Sequence, residues 1–123
     1  MPALARLETS ALLLVAMLAC GPRIKDASIV PGGDADRGRI ALVAYGCGSC
    51  HVIPGVRGAR GLVGPSLAEL ARKTHIAGVL PNDPQNIVRW ILNPPAIDPV
   101  TAMPALGVTE QDARNMAEYI YRH

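Results

Sequence analysis

The chain has 123 residues, 12 basic and 10 acidic side chains, and a net charge of only +2. No basic stretch and no aromatic platform for stacked bases appears, which excludes a nucleic-acid binder. The length allows one small domain, and a domain this small often needs a metal, disulfides or a cofactor as a staple.

Aromatic mass is scarce: half the residues are hydrophobic, yet there is no Phe, one Trp and three Tyr. Something large, flat and apolar is missing from the written sequence. The 12 glycines and 11 prolines are too many for a bundle with short connections, so long loops should wrap around something.

In chain order, Arg6 precedes "ALLLVAMLA" (Ala11 to Ala19), an uncharged run of nine residues. Spanning a bilayer takes about 20 apolar residues, so this run suits the core of an export signal over residues 1–19. "MLAC", ending at Cys20, resembles the lipobox of bacterial lipoproteins, in which the cysteine thiol is acylated and becomes the new N-terminus. A plain secretory cut and an uncleaved anchor are the alternatives. Residues 20–33 lack a helical period and read as a tether. Its last 13 residues would span roughly 20 Å as a coil and at most about 45 Å when straight.

From residue 34 to 123 the pattern is that of one domain. Asp34 caps a first helix, with Asp36 in its first turn, and Ile40, Val43, Ala44 and Cys47 recur at helical spacing, predicting an apolar face that includes Cys47. Ser66 and Glu69 form a capping box for a second helix, through Leu67, Leu70, Ala71 and Thr74 to Gly78. Asp83 and Pro84 open a third, through Ile87, Val88, Ile91 and Leu92, stopping near Asn93 before Pro94 and Pro95. Thr109 and Asp112 cap a fourth through Ala113, Met116, Ala117 and Ile120. About four helices and no convincing strand make the chain all-α. Tyr45 and Tyr119 are expected where the first and last helices cross.

"YGCGSCH" (Tyr45 to His51) places Cys47 and Cys50 three apart with His51 directly behind. Four readings compete. A redox dithiol belongs at a helix N-terminus in a βαβ unit, whereas this pair follows a helix. A structural zinc needs four ligands, and only His75 and His123 remain to complete the set. Coincidence is the third. The fourth is covalent haem: two thiols at this spacing can each add to one of the two vinyl groups on one porphyrin edge, which carries His51 under the iron. Haem also supplies the missing flat apolar mass, and it fits best.

With "GPSL" (Gly64 to Leu67) after that string and "TAMP" (Thr101 to Pro104) late, before a closing helix, the chain from about Asp34 to His123 resembles class I monohaem c-type cytochromes. Within the class it is most similar to those that accompany haem-copper oxidases, sometimes fused to their second subunit. The resemblance implies a small cytochrome c fold of about four helices and long loops wrapped around one covalent haem c. Cys47 and Cys50 would attach it and His51 would ligate iron. For the sixth ligand, Met116 lies on a core face, while His75 stands near a helix end and His123 is the last residue. Met103 sits in a loop that Pro104 keeps extended, and in the family this position supplies the sulfur ligand. The resemblance further implies that the Pro65 carbonyl accepts from the His51 ring and that Trp90 bonds a haem propionate. Arg57, Arg60, Arg72, Lys73 and Arg89 read mostly as solvated surface.

Ligands on both axial faces leave iron no place for a small-molecule substrate, so the expected function is one-electron transfer and not enzymatic catalysis. The expected partners are a haem-copper oxidase or another respiratory complex, and the membrane through the lipid anchor. The expected location is the outer, periplasmic face of the cytoplasmic membrane. A haem enzyme with an open sixth site would need a distal acid, base or arginine, and the Met103 loop offers only Asp98. A structural haem subunit of an oxidase is the third possibility.

Overall fold

A computed structural model describes residues 27–123. The export signal over 1–19 and the lipid-attachment candidate Cys20 lie outside the described residues.

The first helix, α1 (Ala35–Ala44), begins where Asp34, in extended backbone, accepts the Arg37 N–H on its side chain. Its buried residues are Gly38, Ala41 and Leu42. The face predicted from Ile40 and Val43 is the wrong one, since these side chains are 62% and 56% exposed. Small residues decided the choice. A Cβ at Gly38 would collide with the Asn115 carbonyl of the closing helix, so glycine lets the two backbones approach more closely than any larger side chain would. Cys47 is half-buried against the core, in a 3₁₀ turn (Cys47–Ser49) beyond the helix end.

The predicted second helix is a shorter 3₁₀ helix, Leu67–Arg72. Ser66 caps it by accepting the Ala68 N–H, but Glu69 pairs with Arg72 and does not close a box. The chain then forms a hairpin of β1 (His75–Ile76) and β2 (Leu80–Pro81), antiparallel, with His75 opposite Pro81 and Ile76 opposite Leu80. Gly78 does not end a helix; it sits in the hairpin turn, where Ala77 and Gly78 both have positive φ (51° and 75°), as a type I′ connection requires.

Helix α2 (Pro84–Leu92) has Asp83 accepting from the Gln85 and Asn86 N–H groups and Pro84 in its first turn. Asn93 ends it and at once caps a four-residue helix, α3 (Pro94–Ile97), by accepting the Ala96 N–H. The prolines that stop one helix therefore start another, since neither has an N–H for a first turn to satisfy. Helix α4 (Glu110–Arg122) is capped by Thr109, whose hydroxyl accepts the Asp112 N–H, and it buries Ala113, Met116, Ala117 and Ile120. It packs across α1, with α2 and the 3₁₀ helix against its sides. Tyr45 donates across the α1–α4 crossing to Asp112, and the buried Tyr119 donates to the Pro54 carbonyl.

The segment expected to be free tether behaves differently over residues 27–33. Val30 is buried in the core, and its N–H donates to the Glu118 carboxylate at 2.7 Å. Ser28 donates to the same carboxylate, while Gln111, Arg114 and Arg122 donate to the carbonyls of Gly32, Pro31 and Ala27. Glu118 is 1% exposed. Burial raises its pKa, but hydrogen bonds from the Val30 N–H, the Arg122 guanidinium, the Ile29 N–H and the Ser28 hydroxyl outweigh that and hold it below the ordinary range. Residues 27–33 thus belong to the folded unit. Among the described residues, no helix is long and apolar enough to cross a membrane.

Candidate functional site

Between α1, the 3₁₀ helix, the hairpin, α2, α4 and the Met103 loop lies a cleft with about 1170 Å³ of empty space, counting its open mouth. Leu67, Leu70, Ile76, Ile87, Ile91 and Ile120 supply much of its apolar wall. Cys47, Cys50, His51, Pro65, Trp90 and Met103 all line it too. The candidates scattered over 57 positions of sequence therefore share one cavity, save Cys20, which is not described.

Local structure explains how the cysteines get there. Gly46, with φ of 73°, turns the chain sharply at the end of α1, and the 3₁₀ turn follows with the Cys50 and His51 N–H groups both donating to the Cys47 carbonyl (3.2 and 3.1 Å). The next loop folds back on this turn: Gly61 donates to the Gly48 carbonyl and Gly64 to that of Cys50. A Cβ at Gly64 would collide with the His51 ring. Glycine there leaves room for an imidazole at the cleft wall.

His51 Nδ1 lies 2.7 Å from the Pro65 carbonyl oxygen. A carbonyl can only accept, so Nδ1 carries the proton and neutral His51 keeps its lone pair on Nε2, the form that ligates a metal. Burial pushes the Cys47 thiol up, and neighbouring Cys50 adds to the rise. That is the reverse of the depressed pKa that activates a redox dithiol. Among the described residues, no group of three or more His, Cys, Asp or Glu side chains is gathered as a metal site. His75 is exposed against Thr74, and His123 stacks on Tyr119 and bonds its carbonyl.

Met103 is half-buried at the cleft, with its N–H donating to Thr101 Oγ1 at 3.2 Å. The Trp90 indole N–H donates to Met103 Sδ at 3.1 Å. Met116, fully buried in α4, also forms part of the wall. Among the described residues, no Asp, Glu, Lys or Arg lines the cleft. Asp98, the one acid in the Met103 loop, instead accepts the Val100 N–H. Arg72 and Arg89 bond Glu69 and Asn86 at the surface. The hairpin's share of the wall, Ile76 and Ala77, was not foreseen from the sequence.

An apolar cleft bearing two thiols, an oriented imidazole and a thioether suits an iron porphyrin: the walls are apolar as its faces are, and the donors match soft and borderline iron chemistry. The arrangement of elements around the cleft is that of a small cytochrome c fold. The structure superposes on cytochrome c2 from Rhodobacter sphaeroides with a TM-score of 0.51 and 20% identity, covering 73% of this chain and 95% of that one. The fold is therefore that of a class I cytochrome c. In sequence, the chain is similar to cytochrome c oxidase subunit 2 of Alkalihalophilus pseudofirmus, 29% identical over 87 residues. Those residues are 70% of this chain and 25% of the relative, so the chain spans about a quarter of that protein's length. No family model matches the chain.

Proposed function

We propose that this chain is a one-electron carrier holding one haem c, and that it passes electrons between membrane respiratory components to a terminal haem-copper oxidase. The observation that carries the reading is the uncharged cleft in which Cys47, Cys50, His51 and Met103 meet. Bound haem supplies reversible gain and loss of one electron. The residues do the rest. Cys47 and Cys50 would hold the group in the slot through two thioether bonds to its vinyl side chains. His51, oriented by Pro65, offers Nε2, and Met103 offers sulfur, a pairing that raises the potential towards that of a respiratory carrier. The apolar walls exclude water, so little solvent rearranges when charge changes.

Among the described residues of the cleft wall, His51 is the one titratable side chain besides the two cysteines, and its orientation by Pro65 as a ligand favours a carrier over a haem enzyme. The likeness to an oxidase subunit supports a terminal oxidase as partner, and permanent membership of such a complex is the second reading. Cys20, once lipidated, would hold the domain at the outer face of the cytoplasmic membrane and raise its effective concentration near its partners. Residues 27–33 are strapped to α4 and add nothing to the reach of such a tether.

Expression with export in a cell that attaches haem tests the reading. The denatured protein should retain one haem by mass, and Cys47→Ser with Cys50→Ser should abolish it. A colourless wild-type protein from such a cell overturns the proposal. Cys20→Ser should release the protein from the membrane fraction, and purification in mild detergent distinguishes a free carrier from an oxidase subunit.

A further inference from the structure

The β1–β2 hairpin supplies part of the cleft wall, yet little within it holds it in place. We propose that Asn82 and Tyr121 are positioning residues for this wall: together they clasp a strained hairpin shut, keeping Ile76 and Ala77 in the cleft lining and water out. The inference rests on the reading of the cleft as a haem site.

Three observations carry it. First, the hairpin is weak and strained. Its strands have two residues each, Pro81 has no N–H to give the ladder, and a two-stranded ribbon barely holds alone. Among the described residues, Ala77 is the one non-glycine with positive φ (51°), which crowds its Cβ against the following carbonyl oxygen. Such strain persists only where the surroundings hold it. Second, Ile76 and Ala77 both line the cleft, so the strained turn is itself wall. Third, a clasp stands at the hairpin's base. Asn82 Nδ2 lies 2.6 Å from the Leu70 carbonyl and 2.8 Å from that of Lys73. Carbonyls only accept, so the amide nitrogen faces them and Oδ1 is left for the Tyr121 hydroxyl, which donates to it at 2.6 Å. The Asn82 N–H donates in turn to the Thr74 carbonyl. One residue therefore closes the hairpin's base, fastens it to the 3₁₀ helix and, through Tyr121, to the last turn of α4. Burial, then the charge of Asp83, push the Tyr121 phenol up to about 12, so its hydroxyl remains a donor at neutral pH.

Two effects follow. Without the clasp, the strain at Ala77 favours opening, and the amides of the hairpin should exchange faster. Water admitted through the opened wall stabilises the extra positive charge of the ferric form, which lowers the reduction potential.

The test uses full-length holoprotein: wild type, Tyr121→Phe, which removes only the hydroxyl, and Tyr121→Phe combined with Ala77→Gly, since glycine accepts the positive φ without strain. Tyr121→Phe should speed exchange of the Lys73, Val79 and Asn82 amides by about twofold to tenfold, the range of one net hydrogen bond, and should lower the potential. Adding Ala77→Gly should slow that exchange again. Exchange and potential both at wild-type values in Tyr121→Phe would overturn the proposal. So would faster exchange with an unchanged potential, because the hairpin would then not shield the cleft, and so would exchange that Ala77→Gly fails to slow, because no strain would then drive the opening. Should Tyr121→Phe fail to fold, proton NMR of wild-type protein decides: a slowly exchanging Tyr121 hydroxyl proton with cross-relaxation to Asn82 is expected, and its absence refutes the clasp. A wild type without haem would sink the proposed function, while slow wild-type and fast variant exchange beside it would still uphold the clasp.

Discussion

Gly64 gives the sharpest test of how the site is built. Its backbone is not in a glycine-only conformation, so alanine there meets only the space occupied by the His51 ring. A ring free to rotate would yield cheaply. This ring is pinned through Nδ1 to the Pro65 carbonyl at 2.7 Å, and in the holoprotein its Nε2 would be pinned as well. Gly64→Ala must therefore overpack the wall, costing about 1–3 kcal/mol, or break the Nδ1 hydrogen bond, costing about 1 kcal/mol, with about 2–4 kcal/mol where both occur. Guanidinium unfolding of the haem-loaded protein, followed by haem absorbance, should show the midpoint falling by about 1 M. The imidazole's orientation should also change in the low-temperature paramagnetic resonance of the ferric form. A midpoint within about 0.1 M of wild type, with an unchanged resonance, would mean that the His51 ring is not held where the structure has it.

Glu118 is held below the ordinary carboxylate range, so its contribution is fully present above the unfolded-state pKa and disappears as pH falls through the lower, folded value. Glu118→Gln should flatten the acid limb of the stability curve and expose residues 27–33 to limited proteolysis; an acid limb as steep as wild type's would contradict this. Gly38→Ala should destabilise by more than about 1 kcal/mol despite alanine's better helix propensity, because its Cβ meets the rigid Asn115 backbone and not a side chain; thermal unfolding reads this, and a gain in stability refutes the close crossing. Burial, then the charge of Asp83, push the Tyr121 phenol up to about 12. A raised folded pKa means that stability is intact below the unfolded value of about 10 and is lost as pH climbs towards 12, so ultraviolet titration should show a late step that Tyr121→Phe removes.

Helix starts were the most legible feature of this sequence, because capping is local chemistry. Asp34, Asp83 and Thr109 each cap the helix expected of them. What failed were choices made by tertiary packing. Periodicity put Ile40 and Val43 inside, but the closeness of α1 to α4 turned Gly38 and Ala41 inward, and hydrophobicity alone cannot register an advantage of smallness. The hairpin escaped because Ala77-Gly78 is not a usual type I′ pair and its strands have two residues each, too short for alternation to register. The segment over residues 27–33 looked like linker because its partners, above all Glu118, lie 79 to 95 positions away. For the site, "CGSCH" and "TAMP" pointed to Cys47, Cys50, His51 and Met103 as residues of one place, and the cleft brings them together. The Trp90–sulfur hydrogen bond had no sequence signal, since which acceptor an indole meets depends on the loop's path.

The central claim is that sulfur from Met103 and nitrogen from His51 hold the iron of a haem fixed at Cys47 and Cys50. The optical spectrum of the oxidised holoprotein, wild type beside Met103→Ala, tests it most directly. A low-spin wild-type spectrum with the weak red band of sulfur ligation, lost in the variant, is the predicted result; a high-spin wild type that takes up carbon monoxide on reduction, or a variant indistinguishable from it, would contradict the account.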